Sequence, residues 1–168
     1  MMPFLHSAHE LNKNALPDLE LLAYEVIQEL AKIGLERYEK AAFRVHTKTD
    51  DSVVTDADFA IEDAARNLLA ERTPDFGFVG EERPAVKCLG EGGARDWSEA
   101  PLNLAVPNSL NRDKDVFWIM DPIDGTLSFI EKVPLWSTLL ALVCNGKPVL
   151  AVVSLPALGE VFVASEGR

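Results

Sequence analysis

Cysteine is scarce in this chain. Cys88 and Cys144 are the only two among 168 residues, too few and too ordinarily placed for a disulfide framework or a zinc site, so a reducing cytoplasm is the expected setting. His6, His9 and His46 show no metal-ligand spacing and are assigned no role. Positive charge is in deficit as well: 16 Lys and Arg stand against 27 Asp and Glu, a formal net charge of -11. That balance argues against a nucleic-acid polymer or an anionic membrane as the main partner. An acidic protein still takes phosphate compounds where bound cations reverse the local sign. No apolar run reaches the length of a membrane span, because Leu139–Val143 is soon broken by Asn145 and Gly146. The opening MMPFLHSAHELNKNALP has no basic segment followed by an apolar one, so it is not read as a secretory leader. Internal repeats and low-complexity tracts are missing too. What is present is 48% hydrophobic residues, enough for one soluble domain with a real core.

The pattern divides into a tail over residues 1–16 and an α+β domain over 17–168. Pro17 and Asp18 open a helix whose stripe is Leu19, Leu22, Val26, Leu30 and Ile33, with Glu20, Glu25, Glu29, Lys32 and Glu36 mostly off it. A second helix starts at a capping-box-like Thr55-x-x-Asp58, lines one face with Ile61, Ala64, Ala65 and Leu68, and stops at Pro74. Residues 44–54 between them are polar and read as a loop or short hairpin. Phe76–Val79 reads as a strand ending at Gly80-Glu81-Glu82, and Val116–Met120 as a buried strand. Residues 83–114 lose all periodicity and carry several Gly and Pro, which predicts a long loop or insertion. Ser137–Cys144, the turn Asn145-Gly146 and Pro148–Ser154 make a hairpin, and Glu160–Ala164 a third antiparallel strand. Two long helices packed on one face of an antiparallel sheet are therefore expected.

Residues 118–130 read WIMDPIDGTLSFI. Asp121 and Asp124 stand close together directly after an apolar strand, and two carboxylates ~5 Å apart repel by roughly 3 kcal/mol at an effective dielectric near 20. If the strands before Glu81 and Asp121 are neighbours, three carboxylates converge at one end of the sheet. Hard oxygen ligands in such a cluster suit magnesium, with the carbonyl of Ile123 in the same turn as a further ligand. Gly125 lets the backbone approach a ligand closely, and a short helix from Thr126 would aim its first amides at an anion. Taken singly, each residue also has a plainer role: Asp-Pro and Asp-Gly are turn formers, Asp58 a helix-start residue, Lys48 a surface lysine.

Taken together, Lys48, V-V-T-D-A-D (53–58), G-E-E (80–82) and W-I-M-D-P-I-D-G-T (118–126) resemble, in order, the inositol monophosphatase family of magnesium-dependent, lithium-sensitive phosphatases. The resemblance implies that Glu81, Asp121, the Ile123 carbonyl and Asp124 bind Mg2+. It implies that Gly125 and Thr126 hold the substrate phosphate, and that Thr126, paired with Asp58, orients or deprotonates the attacking water. Thr126, Asp58 and Glu81 are thus the implied catalytic set. Glu81, Ile123, Asp124, Gly125, Thr126 and Lys48 would surround the substrate, with Lys48 on a mobile loop nearby. The flanks, with Phe129, Pro134, Trp136, Thr138 and Leu139, look most like the histidinol-phosphatase branch. Inositol phosphates and a 3′-phosphoadenosine nucleotide are the alternatives, and an inactive metal-binding fragment is another. The expected partner is a small phosphorylated metabolite, and the resemblance also implies a homodimer. Two departures stand out: residues 83–114 are longer than the family's usual connection, and no late W-D-x-A-A-type motif follows. The expectation is the N-terminal half of a layered αβαβα fold.

Overall fold

The first apolar stripe forms one long helix. A computed structural model describes residues 4–7, 10–11, 13–48, 51–86, 88–90 and 115–167. Leu5–Ser7 (β1) pairs antiparallel with Glu10–Leu11 (β2), and helix α1 then runs Leu16–Lys40, with Pro17 in its first turn. Its buried residues are Leu19, Leu22, Ala23, Val26, Ile27, Leu30 and Gly34, so the stripe passes through Gly34 where Ile33 was expected, and Ile33 lies at its margin. The reason is bulk: Trp136 sits against the helix at that level. Part of the expected tail also packs, since Leu11 and Ala15 are buried and Phe4 meets Phe76 edge-on.

Val45–Thr47 (β3) and Val53–Thr55 (β4) form the short antiparallel hairpin that leads into helix α2, Asp56–Arg72. Thr55 caps α2, and both halves of its capping box with Asp58 are made. The buried face of α2 runs through Ala57, Asp58, Ile61, Glu62, Ala65, Arg66 and Leu69. It is thus rotated from the expected one, leaving Ala64 and Leu68 partly buried at its edge.

Five strands form the main sheet: Gly77–Val79 (β5), Val116–Asp124 (β6), Ser137–Cys144 (β7), Lys147–Leu155 (β8) and Glu160–Ser165 (β9), in that spatial order. Asn145 and Gly146 both have positive φ, 51° and 71°, as a tight hairpin turn between right-twisted strands requires. The sheet is antiparallel from β6 to β9, but β5 runs parallel to β6, which corrects the wholly antiparallel expectation. A parallel neighbour cannot be reached by a tight turn. The stretch after Gly80 is therefore the crossover between β5 and β6; its residues 87 and 91–114 lie outside the described residues.

Helix α1 lies over β7 and β8, and α2 over β6. Trp118, Met120, Leu140, Leu142, Leu150 and Val152 face them and form the core with Leu19, Ile27, Leu30, Ile61 and Leu69. A short helix α3, Thr126–Ile130, closes one end through Phe129, which meets Trp136 edge-on. The opposite sheet face carries Ile119 and Phe162 well exposed.

A Cβ on Gly34 would stand 2.9 Å from the Trp136 ring. Gly34→Ala gains about 1 kcal/mol of helix propensity but overpacks a ring with no room to yield, at about 1–3 kcal/mol. The expected outcome in thermal denaturation is a net loss, with Tm lower by roughly 2–4 °C; a higher Tm would show that the ring gives way.

Candidate functional site

The parallel register sets the site. Val79 of β5 is paired with Ile119 of β6, so two residues further on Glu81 comes level with Asp121. Glu81 acts on Asp121 both as a charge and as a hydrogen-bonding neighbour. Asp121, Ile119 and Leu139 line one end of a groove of about 490 Å³ on the exposed sheet face, together with Gly80 and Glu81.

The D-P-I-D segment is not the tight turn expected. β6 continues through Asp124, and its pairing with β7 slips, with Asp121 opposite Leu139 but Asp124 opposite Ser137. Three residues on β6 thus span two on β7, a bulge that accommodates Pro122, which has no N–H to give a ladder. The bulge has a consequence for charge. Residues three apart in a regular strand face opposite sides; the extra residue undoes this, and Asp124 adds to the negative field at Asp121. Thr138 donates to the Pro122 carbonyl at 2.9 Å and Ser137 to Asp124 Oδ2 at 3.2 Å, pinning the bulge. The reversal falls at Gly125, whose φ of 87° and lack of space beside the Leu135 carbonyl suit glycine alone.

Lys48 reaches in from the loop beyond β3 and donates to Glu81 Oε1 at 3.1 Å and Glu82 Oε1 at 2.8 Å. Burial works to lower its pKa, and the carboxylates of Glu82 and Glu81 outweigh that and raise it. One ammonium does not balance the site. Burial first, then Glu81 and Asp124, push the Asp121 carboxyl up to about 7. Burial lifts Glu82 to about 7 despite Lys48, with Glu81 and Asp58 adding to the rise. Burial lifts Asp58 to about 6 against its hydrogen bonds from Thr55, with a further push from Glu81.

Those hydrogen bonds run from the Thr55 N–H at 2.7 Å and the Thr55 hydroxyl at 2.6 Å, both to Asp58 Oδ2. The Thr126 hydroxyl donates to the Ile123 carbonyl at 3.1 Å. Thr126 and Asp58 are therefore each held locally and not by a hydrogen bond to one another. The structure brings Lys48, Asp58, Glu81, Asp121 and Asp124 into one electrostatic cluster, with Ile123, Gly125 and Thr126 next to Asp124 along the chain.

Whether this set fits a hard cation is decided by its donors. Among the described residues no three carboxylates or imidazoles stand in a ready cation cage. Yet Asp121 Oδ1 is buried with no hydrogen-bond partner, a costly state for a carboxylate oxygen. The charged groups that act on it, Glu81, Asp124 and Asp58, are all acidic. The Ile123 carbonyl, accepting one bond, keeps a second lone pair. Carboxylate and carbonyl oxygens short of a cation are the donor set magnesium takes, and the residues fit it.

Two residues at the base of the site escape the sequence pattern. Glu62 and Arg66 are fully buried and paired, with Arg66 Nη2 2.7 Å from Glu62 Oε1. A Glu and an Arg four apart on a half-polar helix read as a solvent-face pair, and only the turn they bond would have revealed otherwise. Of the flanking residues, Phe129 and Trp136 pack on one another and Thr138 holds the bulge.

A model of the inositol monophosphatase family matches residues 16–168. The histidinol-phosphatase of Chlorobaculum parvum is 36% identical over 151 residues, which cover 90% of this chain and 49% of that protein. The solved IMPase of Thermotoga maritima is similar with a TM-score of 0.68 at 25% identity, over 90% of this chain and 49% of the other. A solved IMPase/NADP phosphatase in complex with Mg2+ and phosphate shares the fold, with a TM-score of 0.69 at 21% identity over 92% of this chain and 50% of that one. The chain spans about half the length of the curated relatives it matches.

The raised carboxyls have a pH consequence. With folded pKa values of about 6 for Asp58 and about 7 for Glu82 and Asp121, the native state binds more protons than the unfolded one between about pH 4 and 7. In magnesium-free buffer stability should therefore fall as pH rises through that window. Asp121→Asn removes one such group, and allowing for solvent screening it should stabilise the metal-free protein at pH 8 by roughly 1–2 kcal/mol. Thermal melts at pH 5 and pH 8 check both expectations; a variant no more stable than the parent at pH 8 contradicts the charge assignment.

Proposed function

The chain belongs to the inositol monophosphatase family, and on that premise we propose that it builds the metal- and phosphate-binding part of a magnesium-dependent phosphomonoesterase acting on histidinol phosphate. The observation that carries the reading is the buried, unpartnered Asp121 Oδ1 beside Glu81 at the ends of two parallel strands. Glu81, Asp121, Asp124 and the Ile123 carbonyl would hold magnesium. When bound, the ion supplies Lewis-acid polarisation of the phosphoryl group and lowers the pKa of water.

The chain's own residues would do the rest. Asp58, with a pKa near 6, accepts a proton close to neutral pH, as a general base should. Its Oδ2 is anchored by Thr55, which fixes the direction in which it works. Thr126, its proton given to the Ile123 carbonyl, offers the lone pairs of its hydroxyl to position a water. Gly125, with no side chain, admits the phosphate close to the backbone. Lys48 bridges Glu81 and Glu82 and is the chain's own positive charge for an incoming phosphate. Histidinol phosphate is favoured as substrate by the 36% and 33% identical relatives named histidinol-phosphatase.

The test is phosphate release from histidinol phosphate, inositol monophosphate and 3′-phosphoadenosine 5′-phosphate, with and without magnesium, by this chain and by any longer natural chain that carries it. Release from histidinol phosphate is expected to be the fastest and to need magnesium. Asp121→Asn should lower it by about 100-fold or more. Magnesium at 100 times its Kd should also stabilise the parent by about 2.7 kcal/mol. Magnesium-independent release, or an unimpaired Asp121→Asn, would overturn the assignment.

A further inference from the structure

The connection after β5 is held from beneath by a pair of charges that bonds to its main chain. Glu62 Oε2 accepts the Glu82 N–H at 2.7 Å. Arg66 donates through Nε and Nη2 to Glu62 Oε1 at 3.0 and 2.7 Å. Its Nη2 also donates to the carbonyls of Arg83 at 3.3 Å and Pro84 at 3.0 Å. Both side chains are wholly buried, and the Arg66 guanidinium lies 4.5 Å over the Phe78 ring. Gly80 admits the Glu62 carboxylate where any Cβ would collide with it. Gly80 and the main chain of residues 82, 83 and 84 are thus all fitted to one ion pair, and the side chain of Glu81 between them reaches Asp121.

This arrangement exceeds what stability asks for. A buried ion pair is commonly no more stabilising than an apolar pair of the same volume, so its presence under this turn calls for another role. The backbone bonds just after Glu81 and the close fit of Gly80 just before it fix where its carboxylate points to within the freedom of its own rotamers. Lys48, bound to both Glu81 and Glu82, tethers the side chains but leaves the main chain free to shift.

We propose that Glu62 and Arg66 are positioning residues, which set the aim of Glu81 in the site by holding the main chain of residues 82–84. The inference rests on the reading of Glu81 as a magnesium ligand. Outer partners of metal ligands characteristically change metal affinity by 10- to 100-fold when removed, and the same range applies to this pair.

The experiment is calorimetric titration of magnesium chloride into the parent chain and into the double variant Glu62→Leu/Arg66→Met, each with its thermal melt. The apolar pair fills the same space and keeps the fold, but makes no bond to the turn. The expected result is a Tm within a few degrees of the parent and a magnesium Kd about 10-fold weaker or more. A folded double variant that binds magnesium as the parent does overturns the inference and leaves the functional reading intact. A parent that binds no magnesium overturns the functional reading, and the inference with it. Should the double variant not fold, Arg66→Lys replaces it: lysine keeps a charge on Glu62 but has no fork to span Glu62 and both carbonyls. Its Kd is judged by the same 10-fold criterion.

Discussion

Three residue pairs, Gly77 with Phe117, Phe78 with Trp118 and Val79 with Ile119, join β5 to β6, and their parallel sense decides where the acidic groups stand. Were β5 antiparallel, its C-terminal end would lie at the far edge of β6 and Glu81 would be a strand length away from Asp121. Run parallel, the two strands deliver both carboxylates to the same end of the sheet. The bulge at Pro122 then brings Asp124 to bear on Asp121. Core packing keeps the register, since Phe78 and Trp118 are both fully buried and Trp118 Nε1 is satisfied by the Thr73 hydroxyl at 3.0 Å. A one-residue slip would turn Trp118 out of the core.

The result is a site that is electrostatically unfinished as the protein alone. Burial and mutual repulsion lift three carboxyls toward neutrality, while Lys48 is the cation that contacts the Glu81-Glu82 turn. Such strain persists only where the surrounding fold over-determines it. Here the over-determination is visible: a capping box at Asp58, side-chain bonds to the bulge, and an ion pair under the turn. An added positive charge relieves the repulsion at a stroke.

Much of this was legible in the residues. The 3.6-residue periodicity of α1, the Thr55-x-x-Asp58 start of α2 and the Asn145-Gly146 hairpin are local signals, and the structure shows all of them. So is the D-P-I-D-G-T string, because proline, glycine and paired carboxylates restrict local geometry by themselves. What stayed hidden is non-local. Strand direction between β5 and β6 depends on a crossover without periodicity, and no local residue states it. The bulge depends on Ser137 and Thr138, a dozen and more residues away. Glu62 and Arg66 are indistinguishable in sequence from an exposed pair, because their burial is decided by the backbone of residues 82–84 that covers them.

Helix α2 ties these features to one frame. Asp58, Glu62 and Arg66 recur every four residues and so lie along one row of its buried face. The first carries the raised carboxyl, the second accepts the Glu82 amide, and the third holds the carbonyls that follow. Successive members of such a row are separated by about 6 Å along a helix axis, a spacing that side-chain motion cannot alter. The distance between Asp58 and the Glu81 turn is consequently a property of α2 itself and not of the loops that meet there. Asp58 adds to the rise at Glu82, and that row fixes the spacing at which it does so. It also explains why charged residues occupy a helix face that packing alone would have filled with leucine.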